Sequence, residues 1–219
     1  MKARITLPQV YQRLLSAHGP QHWWPGDSKF EIMVGAVLTQ NTAWTNVERA
    51  IANLKRARAL SPRAILDAPH KRLAAWLKPS GYFNVKARRL KALCRWLIDH
   101  GGVRKLSAWP TAELRTALLS VHGVGPETAD DILLYAFDRP VFVIDAYTRR
   151  IFGRLGLTQT DAPYEELRAL FEARLRSDAA IFNEYHALIV AHGKDFCRPK
   201  PRCERCCLAS ACRLTATAE

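Results

Sequence analysis

Two helix-forming segments separated by a glycine hairpin constrain the fold more than any other part of the sequence. From Glu113 to Val121 the apolar residues recur at the i, i+3, i+4, i+7 spacing of an amphipathic helix. The run His122-Gly123-Val124-Gly125 then interrupts this pattern, and Pro126 stands where the first residue of a helix tolerates proline. Helical spacing resumes after Pro126. The sequence therefore predicts a helix-hairpin-helix over about residues 113–137.

A glycine hairpin of this kind can bind a phosphate group. Glycine lets the backbone approach closely, and the first N–H groups of a helix have no partners within the helix. An ordinary connection between helices would contain the same glycines, so the hairpin alone leaves both interpretations open. Beyond the second helix, the apolar pair Val143-Ile144 leads to Asp145, directly before another helix-forming segment. That placement of a single acid favours a functional hairpin.

Gly123-Val124-Gly125, Thr128-Ala129 and the V-I-D that ends at Asp145 resemble the helix-hairpin-helix DNA glycosylase superfamily, specifically its endonuclease III branch. This resemblance implies that the hairpin grips the DNA backbone and that Asp145 is the catalytic acid at the sugar. Bifunctional members have a lysine, which forms a Schiff base with the sugar, at the position held here by Glu127. Because a carboxylate cannot be that nucleophilic amine, the resemblance implies weak or absent AP lyase activity.

Other segments are similar to the 3-methyladenine DNA glycosylase III subfamily. Trp23-Trp24-Pro25 precede an L-T-Q-N-T segment and match that group's base pocket, with Trp44 expected as a further wall. Paired tryptophans could also simply close over the core. Lys194, within H-G-K, matches a carbamylated lysine near the subfamily's pocket. A surface lysine after a glycine that ends a helix would give the same H-G-K motif.

Gln40 and Tyr82 are the expected contacts with the interior of the duplex. In endonuclease III relatives a glutamine fills the gap left by the flipped nucleotide, and Gln40 matches it. Tyr82 takes the position of a wedge that replaces stacking on the opposite strand. Without the resemblance, Gln40 would be interpreted as a helix cap and Tyr82, with equal weight, as a buried turn aromatic.

Four cysteines near the end of the chain predict a metal centre. They are Cys197, Cys203, Cys206 and Cys212, spaced C-x5-C-x2-C-x5-C, and such thiolates can hold zinc or an iron-sulfur cluster. Endonuclease III relatives hold a [4Fe-4S] cluster with C-x6-C-x2-C-x5-C. The first interval here is one residue shorter. Cys206, and not Cys207, preserves the last two intervals between cysteines. We expect a [4Fe-4S] cluster rather than zinc.

Charge and hydropathy restrict the partner. A net charge of +13 and a pI near 9.8 indicate a polyanionic partner. Nucleic acid is favoured over a membrane surface, because the sequence has no separate basic amphipathic helix. The sequence has no long apolar span and no signal-peptide core after its first residues. We expect a soluble monomer in the cytoplasm, associated with the nucleoid in a prokaryote.

The resemblance covers nearly the whole chain and implies an all-α, endonuclease III-like fold of two domains. A six-helix barrel is expected over 29–139, and an iron-sulfur domain over 1–28 and 140–219, with its cluster loop at 197–212. We expect the base pocket in the cleft between them.

The expected reaction is hydrolysis of the N-glycosidic bond of a damaged base in double-stranded DNA. An alkylated purine such as 3-methyladenine is favoured, because its positive charge makes it a good leaving group and suits indole faces. Glu127 would add to this preference if it faced the pocket, although it would equally complement the positive helix N-terminus behind Pro126. Oxidised pyrimidines are the alternative substrates. The alternative from another functional class is a non-catalytic damage-binding protein. The presence of Asp145 argues against it.

Overall fold

The computed structural model describes residues 5–23 and 26–216, which form helices and turns without a β-strand. This confirms the all-α prediction. In this part of the chain no helix is both long and apolar enough to cross a membrane. The α-helices are α1 (Leu7–His18), α2 (Lys29–Thr39), α3 (Trp44–Arg56), α4 (Pro62–Asp67), α5 (His70–Leu77), α6 (Phe83–Asp99), α7 (Gly102–Leu106), α8 (Thr111–Leu119), α9 (Pro126–Asp131), α10 (Ala146–Arg154), α11 (Tyr164–Arg174), α12 (Ala179–Asp195) and α13 (Arg213–Ala216).

Several helices begin where their sequences provide a cap. Thr6 Oγ1 accepts a hydrogen bond from Gln9 N at 3.4 Å, and Gln9 Oε1 accepts one from Thr6 N at 2.9 Å, which forms a capping box before α1. Asp178 Oδ1 accepts from Ala180 N at 2.9 Å and from Ile181 N at 3.2 Å at the start of α12. Each such cap stabilises its helix by about 1 kcal/mol.

The chain divides into two compact units, Pro25–Arg139 and Met1–Trp24 with Pro140–Glu219. In the first of these, which we call the hairpin unit, α6 packs along α4 and α5, and α2 packs against α3. The leucines that α6 turns inward are fully buried: Leu90, Leu93 and Leu97. Each stabilises the fold by about 1.5–3 kcal/mol. Cys94 is also fully buried, and burial raises the pKa of its thiol to about 12.

The helix-hairpin-helix is present in the hairpin unit and is formed by α8 and α9. The second helix begins at Pro126, as predicted, but its α-helical part ends at Asp131 and continues as a π-helical segment, Ile132–Ala136. Arg115 of α8 and Asp130 of α9 form a paired contact, with Nε to Oδ1 at 2.7 Å and Nη2 to Oδ2 at 3.1 Å. The Asp130 side chain is fully buried. This ion pair holds the two helices on either side of the hairpin.

The second unit, which we call the carboxylate unit, is built around α12, against which α1 and α10 pack. Its core is aromatic: the Phe142 ring stacks on Phe171 at 4.4 Å, and Phe152 meets Phe171 edge-on at 4.7 Å. Tyr185 Oη donates to Leu7 O at 2.8 Å and joins α12 to α1. The apolar run before Asp145 is buried and lies outside any helix, and it leads directly to the start of α10.

Candidate active site

Asp145 is the N-cap of α10, which places its carboxylate at the start of a helix as the sequence predicts. Its Oδ1 accepts hydrogen bonds from Thr148 N at 2.7 Å and Thr148 Oγ1 at 2.8 Å, and its Oδ2 lies 3.6 Å from His186 Nε2. Asp145 is only 9% exposed. Burial raises its pKa, but His186 and Thr148 together outweigh burial, so the pKa lies below the ordinary value. The carboxylate is therefore ionised at neutral pH.

An aromatic row extends from this carboxylate within the carboxylate unit. The His186 ring stacks on Trp23 with centroids 6.0 Å apart and an angle of 26° between the rings. Lys194 Nζ lies 5.9 Å from the centroid of the Trp23 ring. The structure thus brings together three predicted site residues: His186 connects Asp145 to Trp23, and Trp23 contacts Lys194. Trp24 and Pro25, the other two residues predicted for this wall of the pocket, lie outside the described residues.

Lys194 lies on a continuing helix and not after its end. The alternative interpretation, in which Gly193 ends the helix, is wrong because α12 runs on to Asp195. Gly193 is needed for a different reason: a Cβ there would collide with the ring of Tyr147, which packs against the helix backbone. Arg150 Nη2 also donates to Gly193 O at 3.2 Å. The next residue is Lys194, and its side chain is exposed.

The hairpin has the backbone shape that its glycines predict. Gly123 has a φ of +85°, and Val124 N donates to Val121 O at 3.0 Å to close the turn. Gly125 is extended and precedes α9. His122 is exposed, whereas the Val124 side chain is 95% covered. Val124, which was predicted as a DNA contact, is therefore a buried residue whose N–H closes the turn.

Gln40 connects the end of α2 to the hairpin. Its Nε2 donates to Gly123 O at 3.0 Å and to Thr128 Oγ1 at 2.9 Å, and Arg89 Nη1 donates to its Oε1. The same Arg89 side chain occupies the space beside Gly123, so that a Cβ at Gly123 would collide with it. Insertion of Gln40 into DNA would require these bonds to break. In the structure as it stands, Gln40 orients the hairpin.

Tyr82 projects from the turn before α6. Its side chain is 70% exposed, so the interpretation of Tyr82 as a buried turn aromatic is wrong. Its φ of +43° and ψ of +33° lie in the left-handed region, which bulky residues rarely adopt. Such backbone strain costs on the order of 1–3 kcal/mol and persists only where the surroundings impose it.

Two further predicted residues also belong to the hairpin unit. Trp44, the first residue of α3, is half-buried and donates from Nε1 to Glu48 Oε1 at 3.0 Å. Glu127 is exposed in the first turn of α9, where a carboxylate complements the positive end of the helix dipole. Gln40, Tyr82 and the hairpin belong to this unit as well.

The four predicted metal ligands meet in the carboxylate unit. Cys197, Cys203, Cys206 and Cys212 line one cavity beside Arg154, the last residue of α10. Arg154 Nη1 lies 3.3 Å from Cys197 Sγ, and Cys212 Sγ donates to Arg154 O at 3.5 Å. The Cys207 thiol lies within 4.8 Å of ring nitrogens of His18 and His192.

Comparison with known proteins decides the family. A family model described as the HhH-GPD superfamily of base excision DNA repair proteins matches residues 34–177, which is more than half of the chain. The chain belongs to this superfamily. A protein of Methanocaldococcus jannaschii, provisionally named a DNA repair glycosylase, is 46% identical over 207 residues, which cover 93% of this chain and 94% of that protein. Endonuclease III of Escherichia coli strain K12 is 30% identical over 188 residues, covering 84% and 83%.

Solved structures agree with this HhH-GPD assignment. The 3-methyladenine DNA glycosylase of Helicobacter pylori, bound to 1,N6-ethenoadenine, has 31% identity and a TM-score of 0.71, with 85% of this chain and 96% of that chain covered. An endonuclease III–DNA complex has a TM-score of 0.85 at 22% identity, with 98% of both chains covered. The predicted superfamily, its endonuclease III-like fold and the resemblance to 3-methyladenine glycosylases are confirmed. The chain thus belongs to a family of base excision DNA repair glycosylases.

The cysteines of this HhH-GPD chain fit an iron-sulfur cluster. Four thiols that surround one cavity supply the four thiolate ligands that a [4Fe-4S] cluster requires. The cavity also agrees with the spacing argument, because Cys206 is one of the residues that line it. Cys207 lies beside two imidazoles.

His186 and Thr148 are the residues of the HhH-GPD site that the sequence prediction missed. Thr148 follows Asp145 by three residues, which is the spacing of a helix cap and its partner, so the signal was present. His186 is 4% exposed and is the one histidine in the run from Tyr185 to Val190. A histidine within an apolar helix face is a weak signal, because only packing shows which group it meets.

Proposed function

We propose that the protein is a monofunctional glycosylase that releases alkylated purines, such as 3-methyladenine, from double-stranded DNA. The observation that carries this proposal is the row formed by Trp23, His186 and Asp145. The Trp23 and His186 ring centroids are 6.0 Å apart, and His186 Nε2 lies 3.6 Å from Asp145 Oδ2. In this proposal Trp23 is the stacking surface for the flipped base and Asp145 is the ionised carboxylate beside it. The H. pylori relative, a 3-methyladenine glycosylase with 1,N6-ethenoadenine bound, supports the same substrate class.

Asp145 performs the chemistry in this proposal. Its ionised carboxylate stabilises the positive charge that develops on the sugar as the N-glycosidic bond breaks, or orients the attacking water. Thr148 occupies Oδ1 with two hydrogen bonds, and His186 faces Oδ2, so the carboxylate is held in one orientation. An N-alkylated purine already carries a positive charge, and it therefore leaves without a general acid.

Trp23 supplies the binding energy for the extruded base. Stacking on an aromatic side chain is worth about 1–3 kcal/mol per base, which offsets the cost of extrusion. A cationic base gains about 0.5–2 kcal/mol more over an indole face. Lys194 Nζ already lies over this ring. Carbamylation of Lys194, which the subfamily resemblance implies, would replace this competing positive charge with a negative one.

The absence of AP lyase activity follows from Glu127. At the position where bifunctional relatives have a nucleophilic lysine, this chain has an exposed carboxylate in the first turn of α9. A carboxylate forms no Schiff base with the sugar. The abasic product is therefore left uncleaved.

DNA binding in this proposal uses the hairpin, Gln40 and Tyr82, with the protein acting as a monomer. A net charge of +13 provides the long-range attraction, so binding weakens steeply as salt rises. A [4Fe-4S] cluster on the four cysteines would cross-link the loop at residues 197–212. The exposed basic side chains of this loop, which then face DNA, include Arg198 and Lys200.

Release of modified bases tests the proposal. The protein is incubated with methylated double-stranded DNA, and the free bases are separated by chromatography, with Asp145→Asn in parallel. Asp161→Asn is the control, because it makes the same substitution at an exposed site in the same unit. We expect 3-methyladenine from the wild type and from Asp161→Asn, and none from Asp145→Asn.

The other outcomes distinguish the alternatives. If oxidised pyrimidines are released and alkylated purines are not, the substrate class is wrong although the enzyme class stands. If no base is released from either DNA while damaged DNA is bound tightly, the protein is a damage-binding protein and the catalytic role of Asp145 is refuted.

A further inference from the structure

A buried lysine connects the two segments that carry Gln40 and Tyr82. Lys86, on the first turn of α6, is 1% exposed. Its Nζ donates to Leu38 O at 2.9 Å and to Ser80 O at 2.6 Å. Leu38 precedes Gln40 by two residues, and Ser80 precedes Tyr82 by two. One ammonium group therefore bonds the end of α2 to the turn before α6.

This arrangement is costly for the protein to maintain. Burial, and then the nearby charge of Arg89, lower the pKa of Lys86 to about 8, which shows that the ammonium is disfavoured in this environment. An apolar side chain would fill the same position in the core without that cost. What the lysine alone provides is the pair of bonds to the two carbonyl groups.

The segment that Lys86 holds is strained and exposed. Tyr82 has a left-handed backbone although it is not glycine, and 70% of its side chain is in solvent. Its own ring therefore does little to fix the turn. The turn is held instead through Ser80, whose Oγ donates to Leu77 O at 2.8 Å and whose carbonyl accepts from Lys86. A strained turn of this kind indicates a functional constraint.

We propose that Lys86 is a positioning residue for the DNA wedge: its ammonium fixes the turn that presents Tyr82 relative to the end of α2 that presents Gln40. The inference rests on the proposed function, which assigns both residues to the interior of the duplex. Lys86 itself contacts no DNA, since its side chain is buried. Loss of its two bonds lets the Tyr82 turn relax toward unstrained backbone conformations and moves the ring away from the opposite strand.

The same helix provides a matched control. Lys91 Nζ also donates to two carbonyl groups, Leu66 O at 2.9 Å and Ala68 O at 2.6 Å. Those carbonyls lie at the end of α4, which carries no residue assigned to DNA. Lys91→Met therefore removes an equivalent pair of bonds from the same unit without loosening the Tyr82 turn.

The first experiment measures wedge insertion without any chemistry. The probe is a DNA duplex with 2-aminopurine opposite a stable abasic-site analogue, and its fluorescence is recorded at saturating protein. We expect the wild type and Lys91→Met to change the fluorescence equally. Lys86→Met should lose most of that change, as Tyr82→Ala does. Equal signals from Lys86→Met and the wild type would overturn the inference.

The second experiment compares two substrates within one preparation, so that a partly unfolded variant does not distort the result. Single-turnover base release is measured with the lesion in a full duplex and in a single strand, where no opposite strand needs a wedge. Lys86→Met should lower the duplex-to-single-strand rate ratio by about 10- to 100-fold, as small misplacements of a positioning group do. Lys91→Met should leave this ratio unchanged, and an equal ratio in both variants would refute the role of Lys86.

These experiments separate the two proposals. If the wild type releases no base but the fluorescence pattern of the variants is as expected, the proposed function fails and the positioning role stands. If bases are released normally and Lys86→Met gives the wild-type fluorescence and the wild-type ratio, the proposed function stands and the positioning role fails.

Discussion

Replacement of His186 by phenylalanine should raise the pKa of Asp145. Phenylalanine keeps a ring against Trp23 but removes the nitrogen that faces Asp145 Oδ2. Burial is the largest influence on this carboxyl group and raises its pKa, while His186 and Thr148 lower it. In His186→Phe only Thr148 still opposes burial, so the carboxylate becomes protonated at a higher pH than in the wild type.

The distance limits the size of this shift. An imidazolium and a carboxylate 3.6 Å apart attract by about 4.6 kcal/mol at an effective dielectric constant of about 20. That is an upper limit, since a neutral imidazole contributes less than a charged one. In the wild type the folded-state pKa is lowered, so the contribution of ionised Asp145 to stability is lost as pH falls through that pKa.

The assay is the pH dependence of single-turnover release of a cationic alkylpurine, whose own charge does not change over the range. The acid limb of the profile should move to higher pH in His186→Phe, and a carbon-detected NMR titration of the Asp145 carboxyl group should show the same shift. Tyr185→Phe is the control: it removes a buried hydrogen bond from the same helix, at a cost of about 1 kcal/mol, away from Asp145. An acid limb that coincides with that of the wild type would refute the proposed coupling of His186 to Asp145.

Three further predictions concern the metal centre, the lyase activity and the hairpin. Cys206→Ser should abolish the visible absorbance of the iron-sulfur cluster in purified protein, whereas Cys207→Ser should retain it; stoichiometric zinc in a colourless wild type would contradict the cluster. Borohydride should trap no covalent complex of the wild type with abasic DNA, because Glu127 offers no amine, and a trapped complex would contradict the monofunctional proposal. Asp130→Asn should lower the free energy of unfolding by about 1.5–3 kcal/mol in denaturant titrations, because it removes the charge from the fully buried carboxylate that pairs with Arg115; a loss below about 1 kcal/mol would show that the pair does not hold the hairpin helices.

The helices were predictable because the information for them is local. Periodic apolar residues, the glycines of the hairpin and Pro126 decide the backbone within a few residues, and α8, α9 and α10 begin close to where the pattern places them. The same holds for the spacing of the four cysteines, which limits the ligand sets that a short loop can offer. Asp145 was found for the same reason, since it directly precedes a helix.

The partners of these residues were less predictable. Gly193 looked like a helix end because glycine often ends helices, but the close approach of Tyr147 explains it instead. Gln40 looked like a free DNA contact, although it donates to the hairpin backbone in the folded chain. In both cases the deciding contact comes from a residue distant in the sequence.

The sequence by itself therefore determined the helical architecture, the hairpin, the polyanion-binding charge and the candidate ligands and acid. Only the tertiary structure decided that His186 stands between Trp23 and Asp145, and that Lys86 is buried beneath the Tyr82 turn. The physical reason is that helix formation and capping depend on neighbours along the chain. The pairing of buried polar groups depends instead on how separate helices pack, and no local sequence pattern predicts this pairing.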